Sequence, residues 1–319
     1  MGYIFLRIEY IFCGESLMHN CCEIIYVRQD DRIYLRLFEK IIRFIYKVFF
    51  IVKCENLKEE KIILVPKKKR YTRVAIKIIA NKVHKAYKNS NDYYIVFDKN
   101  LDFMKDSFDS DKVLDGKWLM RNSIQQILHY ISLCNGQNMN LENIYVLANK
   151  YTKENIYLIR SLIPNFKTVN IITDDLKHFK LLENRLYTEG ILITVSNNKR
   201  KSVKKARYIV NLDFQKEEVE KYSINPNAVF INCVKEKNII KNSFTGIIVN
   251  NIDGKLNPDL NEYMKEYYGI IDDNIFWESC LIQSNSYNLE IEEYCKKKYF
   301  EITGLYGIRG MINKSEFLH

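Results

Sequence analysis

Five short apolar runs decide the fold, and they read IYVLA (144–148), TVNII (168–172), ILITV (191–195), YIVNL (208–212) and AVFINC (228–233). Each run is rich in β-branched residues, which favour strands. The segments between them are typical of helices, at 153–162, 177–187, 199–206 and 215–222. Strands that alternate with helices form a parallel sheet covered on both faces. The sequence therefore predicts a doubly wound, Rossmann-like α/β domain over residues 116–250.

A helix predicted from 117 to 133 leads directly into the first strand. The segment YTEGILITVSNNKRKSVKKARYIVNLDF (187–214) follows with a strand, a short helix and an alanine before the next strand, and NPNAVFINC (225–233) adds a closing turn and strand. In this pattern residues 118–235 resemble the nucleotide-binding domain of the shikimate dehydrogenase and glutamyl-tRNA reductase type. The chain also looks like bacterial proteins of unassigned role. The first resemblance implies an NAD(P)-binding domain beside a substrate-binding lobe.

The turn after the first strand departs from that family. A G-x-G-x-x-G turn in the family leaves bare main chain for the coenzyme pyrophosphate, whereas this chain has ANKYTK at 148–153. Tyr151 places a ring where the family has no side chain. Asn149 still tolerates a left-handed backbone, and Lys150 or Lys153 can neutralise a phosphate. We therefore expect a degenerate phosphate loop and no cofactor, with NAD(P) binding as the alternative.

Polar residues at the carboxyl ends of the predicted strands are the candidate cofactor-binding residues, because open α/β sheets hold ligands at this edge. They are Asn149, Thr152, Asp174, Asp175, Ser196 and Asn211. Asp174 and Asp175 follow the second strand, where the resemblance implies an acid that binds the adenosine ribose. An aspartate there can instead cap the helix that begins near Leu176.

The formal net charge of +10 lies entirely in the N-terminal third, since residues 91–319 hold 30 Lys and Arg against 30 Asp and Glu. A strand predicted at 62–65 is followed by a basic turn and then by a basic helix from 71 to 86. The turn contains Lys67, Lys68, Lys69 and Arg70. Four cations beside the free N–H groups of a helix start suit a phosphate or carboxylate, so we regard them as a candidate anion-binding site. Nucleic-acid binding through 67–88 is an alternative, and so is a merely solvated face.

The remaining N-terminal segments point to no leader and no membrane span. Residues 33–52 are apolar but carry a basic stripe, which predicts an amphipathic helix that packs on the core or lies on an anionic membrane surface. Residues 1–17 make a poor signal peptide, and Met18 is an alternative start. The acidic stretch 98–115 is the predicted domain boundary.

Cysteine and histidine usage argues against a metal or disulfide framework. The eight Cys include no C-x-x-C pair, and the five His are far apart. We expect reduced thiols, a cytoplasmic location and no metal site. The sequence also lacks the motifs that define serine hydrolases and P-loop proteins.

These observations predict three parts: a basic N-terminal α/β lobe (1–115), a Rossmann-like domain (116–250) and a C-terminal helical segment (251–319) that packs on the lobes. Within the last part we expect helices at 262–268, 274–281 and 289–299 and a glycine-containing turn at 304–310. The preferred function is binding of a small anionic metabolite or a protein partner without redox chemistry. The alternatives are an NAD(P)-dependent oxidoreductase and a nucleic-acid-binding protein.

Overall fold

The structure is a computed structural model, and it describes residues 23–29, 52–57, 60–68, 70–88, 93–109, 112–234, 236, 239–240, 244–256, 269–283 and 300–318. Several predictions lie outside these residues. They concern residues 1–17, the helix at 33–52 except for its last residue, the helices at 262–268 and 289–299, and Lys69.

Among the described residues, a four-stranded sheet and the helix that packs on it form what we call the N-terminal lobe. The strands are β1 (Glu23–Gln29), β2 (Lys53–Leu57), β3 (Glu60–Val65) and β4 (Tyr93–Phe97), in the order β2-β3-β1-β4. β1 is parallel to β3 and β4, whereas β2 is antiparallel to β3. Helix α1 (Arg73–Tyr87) begins at the N-cap Thr72 and buries Ala75, Ile79 and Val83. The strand predicted at 62–65 and the helix predicted at 71–86 are therefore confirmed.

A six-stranded parallel sheet is the centre of the second lobe. Its strands are β5 (Asn143–Leu147), β6 (Thr168–Ile172), β7 (Ile193–Ser196), β8 (Tyr208–Asn211), β9 (Val229–Asn232) and β10 (Ile247–Val249), in the order β10-β9-β8-β5-β6-β7. All neighbouring pairs are parallel. Counted from β5, this is the order 3-2-1-4-5-6 of dinucleotide-binding sheets. The predicted fold class, a doubly wound α/β protein, is confirmed.

In the described part of the chain, five α-helices accompany this sheet: α2 (Lys117–Asn122), α3 (Ile124–Asn135), α4 (Lys153–Leu162), α5 (Leu176–Thr188) and α6 (Lys216–Val219). The single helix predicted at 117–133 is interrupted at Ser123. The helix predicted at 199–206 was wrong, because this segment is a series of turns. The side chain of Asn198 accepts hydrogen bonds from the N–H groups of Arg200 and Lys201, which competes with helical hydrogen bonding.

Within the described residues, the C-terminal part contains strands as well as one of the three expected helices. Helix α7 (Asp273–Gln283) covers the helix predicted at 274–281. The strands β11 (Asn251–Leu256), β12 (Phe300–Gly307) and β13 (Gly310–Met311) form an antiparallel sheet in the order β11-β12-β13. The predicted glycine turn is thus the end of a strand and a hairpin, where Gly310 has φ 112°.

One hydrophobic core connects the two lobes. Tyr26, Leu64 and Val96 of the four-stranded sheet belong to the same buried cluster as Leu119 on α2 and Phe276 on α7. The stretch predicted as a boundary, 98–115, contains a 3₁₀-helix (Lys99–Ser107) that buries apolar side chains of its own. The segment that joins the lobes is therefore packed structure and not a loose linker.

Candidate functional site

The strand order places the ligand-binding crevice of such a sheet between the carboxyl ends of β5 and β8. In this chain a side chain occupies that position. The carboxylate of Asp213 accepts the backbone N–H of Asn149 at 2.7 Å and the backbone N–H of Lys150 at 2.9 Å. It also accepts the side-chain amide of Asn155 at 2.8 Å. The N–H groups that face the crevice therefore already have an anion, and it belongs to the protein.

Arg121 holds this arrangement from the α2 side. Its guanidinium donates to the side-chain oxygen of Asn155 and, at 3.0 Å, to the backbone carbonyl of Leu212. Asn155 is buried and lies in the first turn of α4, where the side chain of Thr152 accepts its backbone N–H. The predicted cofactor residue Thr152 is thus the N-cap of α4.

Asn149 links three loops at this edge. Its side-chain amide donates to Glu218 at 2.6 Å, and its side-chain oxygen accepts the backbone N–H of Asp174 at 2.7 Å. The same oxygen accepts the hydroxyl of Thr173 at 3.3 Å. With its own N–H on Asp213, Asn149 thus has its backbone N–H, its side-chain amide and its side-chain oxygen engaged within the protein.

The side chain of Tyr151 lies beside this crevice and contacts the start of α5. Its ring centroid is 5.6 Å from that of His178 and 5.4 Å from that of Phe179, both in the first turn of α5. The ring therefore bridges the start of α4 and the start of α5. This is the side of the crevice on which the predicted ribose acid was expected.

The two aspartates after β6 have different roles. Asp175 is the N-cap of α5 and also contacts the Nδ1 atom of His178 at 2.7 Å. Asp174 pairs with the ammonium of Lys199 at 3.7 Å and accepts the hydroxyl of Tyr222 at 3.4 Å. Burial raises the pKa of Tyr222, and the nearby carboxylate of Asp174 raises it further. The side chain of Asp174 is the more exposed to solvent of the two.

The last two predicted cofactor residues are also engaged internally. Ser196 accepts the backbone N–H of Asn198 at 3.2 Å. Asn211 is fully buried and exchanges hydrogen bonds with the backbone of Phe214 at 2.9 and 3.0 Å. The structure thus brings the six residues to one edge of the sheet, where they stabilise the loops.

The basic turn lies in the N-terminal lobe, between β3 and α1. Lys67 and Arg70 are exposed, and Lys68 is half-buried. The hydroxyl of Tyr71 fixes the turn by donating to the carbonyl of Pro66 at 3.0 Å. Among the described residues, none of these cations lines the cleft between the lobes.

That cleft, which we call the interlobe cleft, has a volume of about 460 Å³. It lies where β4, β9 and β10 end, and both signs of charge line it. The cations are Lys99, Lys105 and Lys117, and the carboxylates are Asp102, Asp115, Asp272 and Asp273. Lys105 pairs with Asp102, Lys117 pairs with Asp115 at 2.5 Å, and the ammonium of Lys99 donates to the carbonyl of Gly269 at 3.3 Å.

A buried asparagine network forms the second-lobe wall of the cleft, and sequence reasoning missed it. Asn211 donates to Asn232 at 3.2 Å, and Asn232 donates to Asn250 at 2.9 Å. Asn274, at the start of α7, donates to the backbone carbonyl of Asn250 at 3.1 Å. A signal was present, because an Asn ends or directly follows each of the apolar runs of β8, β9 and β10.

An ionisable residue is buried behind the same wall. Glu278 on α7 is 2% exposed, and its Oε2 atom has no hydrogen-bond partner among the described residues. Burial raises the pKa of this carboxyl to about 8, and the charge of Asp115 acts in the same direction. The N–H groups of Gly116 and Leu119 at the start of α2 oppose the rise.

The described residues contain neither a metal-ligand cluster nor a membrane-spanning helix. No group of three or more His, Cys, Asp or Glu there is arranged to hold a metal ion. In the same part of the chain, none of the helices has the length and apolar character of a bilayer span.

No protein-family model matches the chain, and no curated protein matches it. Solved structures of aspartate transcarbamoylase from Trypanosoma cruzi are similar in part. The complex with aspartate and phosphate is 10% identical with a TM-score of 0.30, over 83% of each chain. The complex with phosphate alone is 11% identical with a TM-score of 0.32, over 83% of this chain and 85% of that one. The complex with carbamoyl aspartate and phosphate is 11% identical with a TM-score of 0.34, over the same shares.

The predicted resemblance to shikimate dehydrogenase and glutamyl-tRNA reductase was wrong, since the comparison with solved structures returns transcarbamoylases. The physical reason is that alternating strands and helices are common to all doubly wound sheets. The glycine turn that would have distinguished a dinucleotide-binding family is missing from this chain.

Proposed function

We propose that this chain binds a small anionic metabolite in the interlobe cleft, acts in the cytoplasm and carries out no nicotinamide redox chemistry. One observation carries the non-redox part of the proposal. The carboxylate of Asp213 accepts the N–H groups of Asn149 and Lys150 in the crevice where related sheets bind a diphosphate. The free thiols of Cys134 and Cys233 support a reducing compartment.

The occupied crevice opposes a coenzyme for three reasons. A diphosphate would have to displace Asp213 from three donors, and each hydrogen bond to a charged group contributes about 1.5–3 kcal/mol. The displaced carboxylate would then lie close to the phosphate charge, and like charges repel strongly in a partly buried site. The ring of Tyr151 must also move from α5.

The interlobe cleft offers a separate place for a ligand. Its volume of about 460 Å³ is typical of small-molecule sites. A ligand carboxylate or phosphate can replace the carbonyl of Gly269 at the ammonium of Lys99, and a charged acceptor strengthens that hydrogen bond. The side-chain oxygens of the aspartates and asparagines that line the cleft can accept hydrogen bonds from a ligand. We therefore favour an anion that also carries amine or hydroxyl donors.

Calorimetric titration with NAD⁺ and NADP⁺ tests the proposed absence of nicotinamide redox chemistry. We expect no binding heat at millimolar coenzyme. Micromolar affinity for either coenzyme would contradict a non-redox role, because it would require the crevice at Asp213 to open.

A thermal-shift screen tests the proposed binding of a small anion in the interlobe cleft. The panel contains small carboxylates, phosphates and amino acids, and we expect at least one class to raise the melting temperature. The variant Lys99→Gln should remove that increase, whereas Lys153→Gln, which changes an exposed lysine on α4, should retain it. An equal increase in both variants would place the ligand outside the interlobe cleft.

A further inference from the structure

The positive charge of this chain is concentrated in one segment of the N-terminal lobe. Residues 61–88 contain ten Lys and Arg and no Asp or Glu, so the rest of the chain holds 39 residues of each sign. The whole formal excess of +10 therefore comes from 28 consecutive residues. Such clustering is the electrostatic footprint of a polyanion-binding surface.

Helix α1 arranges this charge in a line. Its exposed residues Arg73, Lys77, Lys85 and Lys88 follow one another at spacings that keep them on one face, with Asn81 and His84 between them. We call these six residues the α1 stripe. The stripe is about 22 Å long, since a helix rises about 1.5 Å per residue. Among the described residues, no ion pair joins its four Lys and Arg to a carboxylate.

An aromatic groove lies at the C-terminal end of the stripe. It has a volume of about 770 Å³ and is lined by Asn81, His84, Lys85, Tyr87, Lys88 and Tyr93. The rings of Tyr87 and Tyr93 are stacked, with centroids 4.0 Å apart and planes 9° from parallel. The ammonium of Lys112 is 5.1 Å from the centroid of Tyr93. Cations and aromatic rings thus occur together at this end.

We propose that the α1 stripe and the aromatic groove bind single-stranded nucleic acid, with phosphates along the stripe and a base in contact with the tyrosines. A line of cations beside aromatic rings is the combination that single-strand binding proteins use, because every base has a face that can stack. This site is distinct from the interlobe cleft.

The packing of α1 favours nucleic acid over a membrane surface. A helix that binds in the bilayer interface inserts its apolar face, but here that face is buried against the sheet through Ala75, Ile79 and Val83. On the exposed face only Val74 and Ile78 are large and apolar. The available interaction is therefore electrostatic, and it suits a phosphate backbone.

Fluorescence anisotropy with the full chain and a labelled single strand of about 20 nucleotides tests the proposal. We expect a Kd on the order of 1–100 µM at about 50 mM KCl. Four phosphate contacts predict a slope of about −2.8 for log K against log salt, hence an affinity loss of about 50-fold between 50 and 200 mM. The absence of binding at about 50 mM KCl would overturn the proposal.

A charge-matched pair of variants assigns the binding to the stripe. The first variant carries Arg73→Gln, Lys77→Gln, Lys85→Gln and Lys88→Gln, and its salt slope should approach zero. The control carries Lys153→Gln, Lys177→Gln, Lys201→Gln and Lys204→Gln, which are exposed positions of the second lobe, and it should bind like the wild type. An equal loss in both variants would overturn the proposal, because it would show that only net charge matters.

Two further measurements distinguish the contribution of base stacking from that of phosphate binding, and nucleic acid from a membrane. Tyr87→Leu should weaken binding about fivefold or more without changing the salt slope, since stacking releases no counterions. An unchanged affinity in this variant, or tighter binding of the same sequence as a duplex, would overturn the single-strand assignment. Binding to vesicles that contain phosphatidylserine, together with no binding to the oligonucleotide, would assign the stripe to a membrane.

Discussion

Glu278 shows how one buried residue can set the pH response of the protein. Its carboxyl has a pKa of about 8, mainly because burial disfavours the charged form. The ordinary value is 4.5, so between these pH values the folded protein retains a proton that the unfolded chain has lost. Ionisation at higher pH places a charge behind Gly116 and Asn274, both of which line the interlobe cleft.

We predict that the free energy of unfolding falls as the pH rises from about 4.5 to about 8 and is then constant with respect to this group. The slope contributed by one proton is about 1.4 kcal/mol per pH unit. Urea unfolding at several pH values measures it. The variant Glu278→Gln should lose this pH dependence of the free energy of unfolding. The control Glu301→Gln, at an exposed position, should keep it. Parallel pH profiles of Glu278→Gln and the wild type would contradict the assignment.

Gly116 is the other residue whose surroundings allow a sharp test. It has φ 77°, and a Cβ atom there would lie 2.6 Å from the Cβ of Asn274. Gly190 has a similar φ of 79° but nothing within 4 Å of the added atom. An alanine at either position would have to adopt the unfavourable left-handed backbone conformation. Only at Gly116 would its Cβ atom also collide with a neighbouring residue.

We therefore expect Gly116→Ala to destabilise the protein by about 1–3 kcal/mol more than Gly190→Ala, since overpacking has costs of that size. Chemical denaturation of the two variants gives the difference directly. Equal losses would mean that α2 and α7 can separate without cost.

At the level of elements, the buried asparagines explain how short strands are held at the cleft. β8 and β9 have four residues each and β10 has three, so few backbone hydrogen bonds fix their ends. The side chain of Asn232 donates to Asn250 and accepts from Asn211, which ties the three ends together. Because these groups are buried, removal of the Asn232 side chain takes one hydrogen-bond partner from Asn211 and one from Asn250.

Asn232→Ala should consequently lower the free energy of unfolding by about 1–3 kcal/mol, which is the usual cost of an unsatisfied buried polar group. Asn140→Ala, at an exposed position outside the network, is the matched control. A loss as small as that of the control would show that the network adds little to stability.

At the level of the whole molecule, the shared core links the lobes energetically. Tyr26 and Val96 in the N-terminal lobe pack in the same buried cluster as Leu119 and Phe276. If one lobe unfolded while the other stayed folded, part of this cluster would be exposed to water. Burial of apolar surface contributes about 25 cal/mol per Å² to the free energy of unfolding.

We predict one cooperative unfolding transition for the described lobes, with a calorimetric enthalpy equal to the van't Hoff enthalpy. Differential scanning calorimetry measures both enthalpies. Two resolved transitions would show that the lobes unfold independently and that the core between them is only a contact surface.

The sequence by itself determined the α/β class and the positions of most strands and helices, because alternating apolar runs and helical spacing are local signals. It also located the basic segment 67–88 and the absence of a glycine turn at 148–153. Only the tertiary structure decided what those features do. Asp213 lies more than 60 residues from Asn149 in the chain, and the pairing of their strands' ends brings its carboxylate to that turn. The interlobe cleft and the burial of Glu278 likewise depend on contacts between distant segments, which no local pattern encodes.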